Sequence, residues 1–194
     1  MWTADGSSGQ AMTGIQWIGV DWGTTNLRAY AVGSDNSVIA VRESDQGMGR
    51  LMADAFEGAL LDRIDAWLDP ARVMPVIACG MVGARQGWVE APYRAVPCAP
   101  VVAGELLPVT TRDQRIRLRI VPGLCQTTPP DVMRGEETQV AGFLAQNPDF
   151  EGALCLPGTH CKWVSVSAGR VIAFTTFMTG ELFAILSTAT ILRY

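Results

Sequence analysis

Hydrophobic and polar positions alternate in three short runs near the start of the chain: IQWIGVD (15–21), NLRAYAV (26–32) and SVIAVRE (37–43). Period-two alternation interrupted by small polar residues predicts three strands joined by tight turns, the second turn at Gly-Ser-Asp-Asn. The pattern then lengthens. MGRLMADAFEGALLDRIDAWLD sets Leu51, Ala55, Ala59, Ile64 and Leu68 at helical spacing, and Pro70 stops the run. RVMPVIACG reads as a buried strand ending in glycine, and QRIRLRIVPG (114–123), alternating Arg with Ile and Leu, as an amphipathic one. Four prolines and four glycines fall within residues 80–112, which predicts a long structured loop. RGEETQVAGFLAQN predicts a helix with its acids at the N-terminal end, where the dipole favours them.

The closing stretch repeats the opening. ALCLPGTHCKWVSVSAGRVIAFTTF is again strand, Gly-Thr turn, strand, small-residue turn and strand. Gly23-Thr24 and Gly158-Thr159 lie 135 positions apart, and each is followed by a hairpin whose last strand opens Val-Ile-Ala, at 38 and at 171. The shared order points to a duplicated unit. The domains expected are a disordered leader over 1–14, a first lobe over 15–150 and the opening of a second lobe over 151–194.

Composition narrows the class. The chain has 194 residues, 48% hydrophobic, with a formal net charge of -4. That balance argues against binding a nucleic-acid backbone, which needs clustered basic residues. Fourteen of the fifteen basic residues are Arg, leaving Lys162 as the single lysine, two residues beyond the single histidine, His160. Five cysteines without a C-x-x-C pair suggest a cytoplasmic protein with reduced, buried thiols. Cys155, His160 and Cys161 lack a fourth ligand at zinc spacing. The longest apolar run, LFAILSTATIL (182–192), has the length of a core helix, so no membrane association is expected.

The two turns carry the chemistry. Glycine lets backbone amides approach a phosphate closely, and threonine adds a hydroxyl without charge. Asp21, ending the first strand, could hold Mg²⁺ through water, or could merely cap its own turn. Glu136 and Glu137 open the helix about twenty residues before the second turn. A carboxylate there could accept a proton from a hydroxyl or a water, or could complement the helix dipole.

The ordering resembles the superfamily of sugar kinases, actin and heat-shock chaperone ATPases: Asp21-Trp22-Gly23-Thr24-Thr25, then Gly135-Glu136, then Gly158-Thr159. More narrowly, VDWGTTNLRAY, ACGMVGARQGWVEAPY, IVPGLC, VMRGEETQVAG, LPGTHCKW and FMTGEL are similar, in order, to the blocks of the 2-dehydro-3-deoxygalactonokinase family. The resemblance implies an α/β fold, a ribonuclease H-like, actin-type ATPase lobe followed by the beginning of a second, duplicated one. It implies ATP-dependent phosphorylation of the 6-hydroxyl of 2-dehydro-3-deoxy-D-galactonate, in galactonate catabolism, with ATP and Mg²⁺.

Carried over residue by residue, Glu136 becomes the catalytic base, with Glu137 as the alternative, and Asp21 organises Mg²⁺. Gly23, Thr24, Thr25 and Asn26 would cradle one side of the phosphates, and Gly158, Thr159, His160 and Lys162 the other. Arg85 and Arg134 are candidates for the substrate carboxylate. Trp88 and Tyr93 could stack on the sugar acid. Family members are longer, so a truncated chain is expected, lacking an adenosine pocket and able to self-associate through its apolar C-terminal helix. Two other functions stay open: a non-catalytic sugar-acid or phosphate-binding remnant, and an exopolyphosphatase-type phosphohydrolase.

Overall fold

The computed structural model of the chain describes residues 14–193. The expected leader, apart from Gly14, lies outside the described residues, as does Tyr194. The strands are β1 (Ile15–Trp22), β2 (Leu27–Gly33), β3 (Val38–Ser44), β4 (Met74–Gly80), β5 (Tyr93–Ala95) and β6 (Leu107–Pro108). They continue as β7 (Ile116–Ile120), β8 (Gly123–Thr127), β9 (Pro130–Met133), β10 (Gly152–Leu156), β11 (Cys161–Ser167) and β12 (Arg170–Phe177). The helices are α1 (Phe56–Ile64), α2 (Glu136–Gln146) and α3 (Thr179–Ala189), with short 3-10 turns between elements. None of the helices is long and apolar enough to cross a membrane.

Two compact units divide the chain. The first takes residues 14–91 together with Leu106–Val121. Its six-stranded sheet runs β3-β2-β1-β4-β7-β6. β1 pairs antiparallel with β2 and parallel with β4, which makes it central. Ile18, Val20 and Trp22 alternate along β1 into the core, where Phe56, Leu60 and Ile64 of α1 meet them. Trp88 joins this core, its ring 6.2 Å from Phe56 and nearly parallel to it, and edge-on to Trp22 at 6.2 Å.

The expected helix from 48 to 69 forms only in its second half. Met48–Arg50 is a 3-10 turn, and Leu51 is extended. The cause is that Gly47, Met48 and Gly49 donate their amides to the carbonyls of Thr25, Gly23 and Thr24 at 2.9–3.0 Å. Those donors are committed to the first Gly-Thr turn, so the helix starts after them.

The second unit comprises Pro92–Glu105 and residues 122–193. It holds two three-stranded sheets, β10-β11-β12 and β5-β8-β9. Its core joins Leu124 and Met133 to Val140 and Leu144 of α2 and to Val164, Val166, Val171 and Phe174. This packing is why α2 clusters with the second unit, and not with a first lobe ending at 150 as the sequence boundary has it. The loop expected over 80–112 therefore crosses between units, and it carries β5 and β6. β8 and β9 were not expected either. They are tied to β12 by Gln126, whose side chain accepts from the Phe174 amide at 2.9 Å and donates to the Pro129 carbonyl at 2.8 Å.

The two hairpin triplets, β1-β2-β3 and β10-β11-β12, share their pairing and one irregularity. The β2–β3 ladder shifts register between Ala31 and Val32, and the β11–β12 ladder between Ser165 and Val166, 134 positions later.

Candidate active site

In the first unit, the turn after β1 exposes Thr24, Thr25 and Asn26 while Trp22 before it and Leu27 after it are fully buried. Burial at both ends and the Gly23 amide bonded to the Asn26 carbonyl at 2.9 Å hold the turn tight. A Cβ on Gly47 would lie 2.2 Å from the Thr25 carbonyl carbon, so only glycine lets the following segment dock there. The carbonyls of Gly23, Thr24 and Thr25 are thereby engaged, and both threonines are exposed.

Asp21 stands opposite Arg28 on β2 and Cys79 on β4. Partial burial raises the pKa of its carboxyl, and the nearby Arg28 guanidinium opposes that shift. Among the described residues no group of three His, Cys, Asp or Glu side chains could hold a metal ion. A single carboxylate suits only a cation that keeps most of its water.

Arg85 is exposed, with Glu90 at 3.8 Å. Trp88 is half-buried, its ring stacked near Phe56 and edge-on to Trp22.

In the second unit, Gly135 has φ +112 and turns the chain from β9 into α2. Glu136 is half-buried, and its carboxylate accepts from the Arg134 amide at 3.0 Å. Glu137 is completely buried, accepting from the Gly135 amide at 2.7 Å and the Thr138 hydroxyl at 3.3 Å. Burial pushes the Glu137 carboxyl up to about 7 despite those bonds. Of the two, only Glu136 reaches the surface. Arg134 lies over the Tyr93 ring, 4.2 Å from its centroid.

The second Gly-Thr turn is built like the first. Gly158, Thr159 and His160 are exposed between β10 and β11. A Cβ on Gly180 would fall 2.3 Å from the Gly158 carbonyl oxygen, and the Glu181 amide donates to the Thr159 carbonyl at 3.2 Å. His160 reaches Glu181 at 3.5 Å. Gly47 and Gly180 each stand three residues beyond the last strand of their hairpin, after Ser44 and after Phe177. Sequence reasoning had passed over both glycines; their common offset from the two hairpins was the available signal.

Lys162 is buried. Its side chain is 7% exposed, and the ammonium is bonded within the unit to the Val132 carbonyl and the Thr176 hydroxyl. Cys155 and Cys161 flank the turn with sulfurs 3.6 Å apart; no disulfide joins the five cysteines, and of the thiols expected to be buried only that of Cys161 is, while Cys155 at the sheet edge is exposed.

Comparison with known proteins matches this frame. The family model for 2-keto-3-deoxy-galactonokinase covers residues 21–194. A probable 2-dehydro-3-deoxygalactonokinase of Rhizobium meliloti (strain 1021) is 44% identical over 181 residues, 92% of this chain and 58% of its own. A 2-dehydro-3-deoxygalactonokinase of Escherichia coli (strain K12) is 38% identical over 169 residues, 86% of this chain and 55% of its own. The chain thus spans a little over half the length of these curated relatives.

A crystal structure of a 2-dehydro-3-deoxygalactonokinase-type protein from Sinorhizobium meliloti has a TM-score of 0.80 at 44% identity, covering 91% of this chain and 58% of that one. A reductive activator for a corrinoid, iron-sulfur protein reaches a TM-score of 0.50 at 13% identity over 87% of this chain and 31% of its own, a likeness of fold alone. The mixed α/β architecture is that of the Sinorhizobium meliloti structure over the matched residues. The blocks that suggested a family in the sequence, the fold they build and the relatives they align with agree, and the chain belongs to the 2-keto-3-deoxy-galactonokinase family.

Proposed function

We propose that this chain supplies the phosphate-gripping turns and the general base of a cytoplasmic, ATP-dependent kinase that phosphorylates the 6-hydroxyl of 2-dehydro-3-deoxy-D-galactonate in galactonate catabolism. The observation that supports it is the pair of Gly-Thr turns, each exposing threonine and each closed from behind by a glycine that tolerates no Cβ. Phosphoryl transfer demands mainly positioning and charge stabilisation, and turns of this kind provide both.

Thr24, Thr25 and Asn26 on one turn, and Gly158, Thr159 and His160 on the other, donate hydrogen bonds to phosphate oxygens. Glu136 accepts the proton of the attacking hydroxyl; the Arg134 amide holds its carboxylate at the helix start. Asp21 would hold Mg²⁺ through water, and the ion when bound neutralises charge on the transferred phosphoryl group. Arg134, with its guanidinium laid on Tyr93, and the exposed Arg85 are the cations offered to the substrate carboxylate.

The test is ADP release from ATP by a complete enzyme that contains these residues, with and without the sugar acid, and phosphorus NMR of the product. A phosphomonoester at C6 supports the reading. Orthophosphate release without sugar phosphorylation would assign a phosphohydrolase, and absence of turnover would refute the kinase. Glu136→Gln is expected to lower turnover about a hundredfold or more while sugar-acid binding survives.

A further inference from the structure

Lys162 is the only buried basic side chain among the described residues. Its partners explain why a lysine is tolerated there. The ammonium donates to the Val132 carbonyl and to the Thr176 hydroxyl, each at 2.5 Å, with the Asp131 carboxylate at 3.6 Å. Thr176 in turn donates to Asp131, 2.8 Å from both carboxylate oxygens. One charge, one counter-charge and one hydroxyl therefore satisfy each other inside the unit, as buried charges require.

The elements joined are the informative part. Lys162 is the second residue of β11, directly after the Gly158-Thr159-His160 turn, and Thr176 is its ladder partner on β12. Asp131 and Val132 belong to β9, in the other sheet. β9 ends at Met133, and the next amide, that of Arg134, is the donor that holds the Glu136 carboxylate at 3.0 Å. The path from the second turn to Glu136 runs through Lys162, the Val132 carbonyl and two further residues of backbone.

We propose that Lys162 is a positioning residue that sets the Glu136 carboxylate in register with the second Gly-Thr turn by binding β9 to β11. The inference rests on the reading of Glu136 as general base. It replaces a direct role on phosphate, which would need the ammonium to leave three partners. An apolar residue of similar length would fill the space but would leave the Val132 carbonyl and Asp131 without their cation, and β9 free to shift.

Four variants and one double variant of a complete enzyme that contains these residues test this, with steady-state kinetics and circular dichroism: Lys162→Met, Thr176→Val, Thr176→Ser, Glu136→Gln and Lys162→Met combined with Glu136→Gln. Lys162→Met should lower kcat about tenfold to a hundredfold, the scale of an ångström-sized misplacement, with KM for ATP changed less than about threefold. Thr176→Val should do the same in milder form, and Thr176→Ser, which keeps the hydroxyl, should restore the wild-type rate. In the Glu136→Gln background Lys162→Met should cause no further loss, because the group it positions is gone.

A raised KM for ATP with unchanged kcat, or equal losses with and without Glu136, would overturn the proposal in favour of direct phosphate contact. Thr176→Val with wild-type kinetics would also overturn it, and this variant decides the matter if Lys162→Met does not fold. Wild-type turnover by Glu136→Gln would instead remove the general-base reading itself, a result visible before any Lys162 variant is made.

Discussion

The second unit should lose stability as pH rises, and Glu137 is the group responsible. Its carboxyl is pushed from an ordinary 4.5 up to about 7, chiefly by burial, with the neighbouring Glu136 charge adding to the shift. The folded unit therefore binds a proton more tightly than the unfolded chain does. The stabilisation is fully present below about pH 4.5 and is lost as pH rises through 7. At 1.36 kcal/mol per pH unit, that window corresponds to roughly 3 kcal/mol, or about a hundredfold in an opening equilibrium.

Glu137→Gln removes the titration while keeping the shape. Its carbonyl can accept from the Gly135 amide, and the Thr138 hydroxyl, now a donor to Oε1, can accept from the new amide nitrogen. The assay is amide hydrogen exchange along α2 between pH 5 and 8.5, corrected for intrinsic exchange. Wild-type protection should fall by about two orders of magnitude while that of Glu137→Gln stays level. Equal pH dependence in the two proteins, or protection that rises with pH, would refute the reasoning.

Other outcomes follow from the packing. Gly180→Ala sets a Cβ 2.3 Å from the Gly158 carbonyl oxygen and must displace the second turn; a cost of about 1–3 kcal/mol and several-fold weaker nucleotide binding are expected, read by melting and calorimetric titration. Gly47→Ala, 2.2 Å from the Thr25 carbonyl carbon, should act alike on the first turn. Trp88→Ala should destabilise the first unit by about 3 kcal/mol in chemical denaturation, whereas Trp88→Phe should retain most of the stability; a change in sugar-acid KM without loss of stability would restore Trp88 to the substrate site.

Much of this was legible in the chain. The hairpin runs, the Gly-Thr turns and the helix opening at Glu136 stand out because alternation, small turn residues and clustered acids are local signals. The first turn of the expected long helix does not form because Met48 and Gly49, with Gly47 before them, give their amides to a turn more than twenty residues earlier. β8 and β9 escaped notice because their short run through Thr127-Thr128-Pro129-Pro130 has no alternation to follow. Trp88 read as a loop aromatic, since nothing near it in sequence announces Phe56 and Trp22 as its neighbours.

The sequence by itself determined the order of strands and turns, the repeat and the residues able to do chemistry, because each depends on neighbours within a few positions. Tertiary structure alone decided between candidates of the same type. Glu136 and Glu137 are adjacent and chemically alike, yet the helix start turns one outward and seals the other in the core. Lys162 has the spacing of a phosphate ligand, but Asp131 and Val132, thirty residues away, claim its ammonium. Burial and the identity of distant partners set a side chain's charge and reach, and neither is written in the few residues on either side of it.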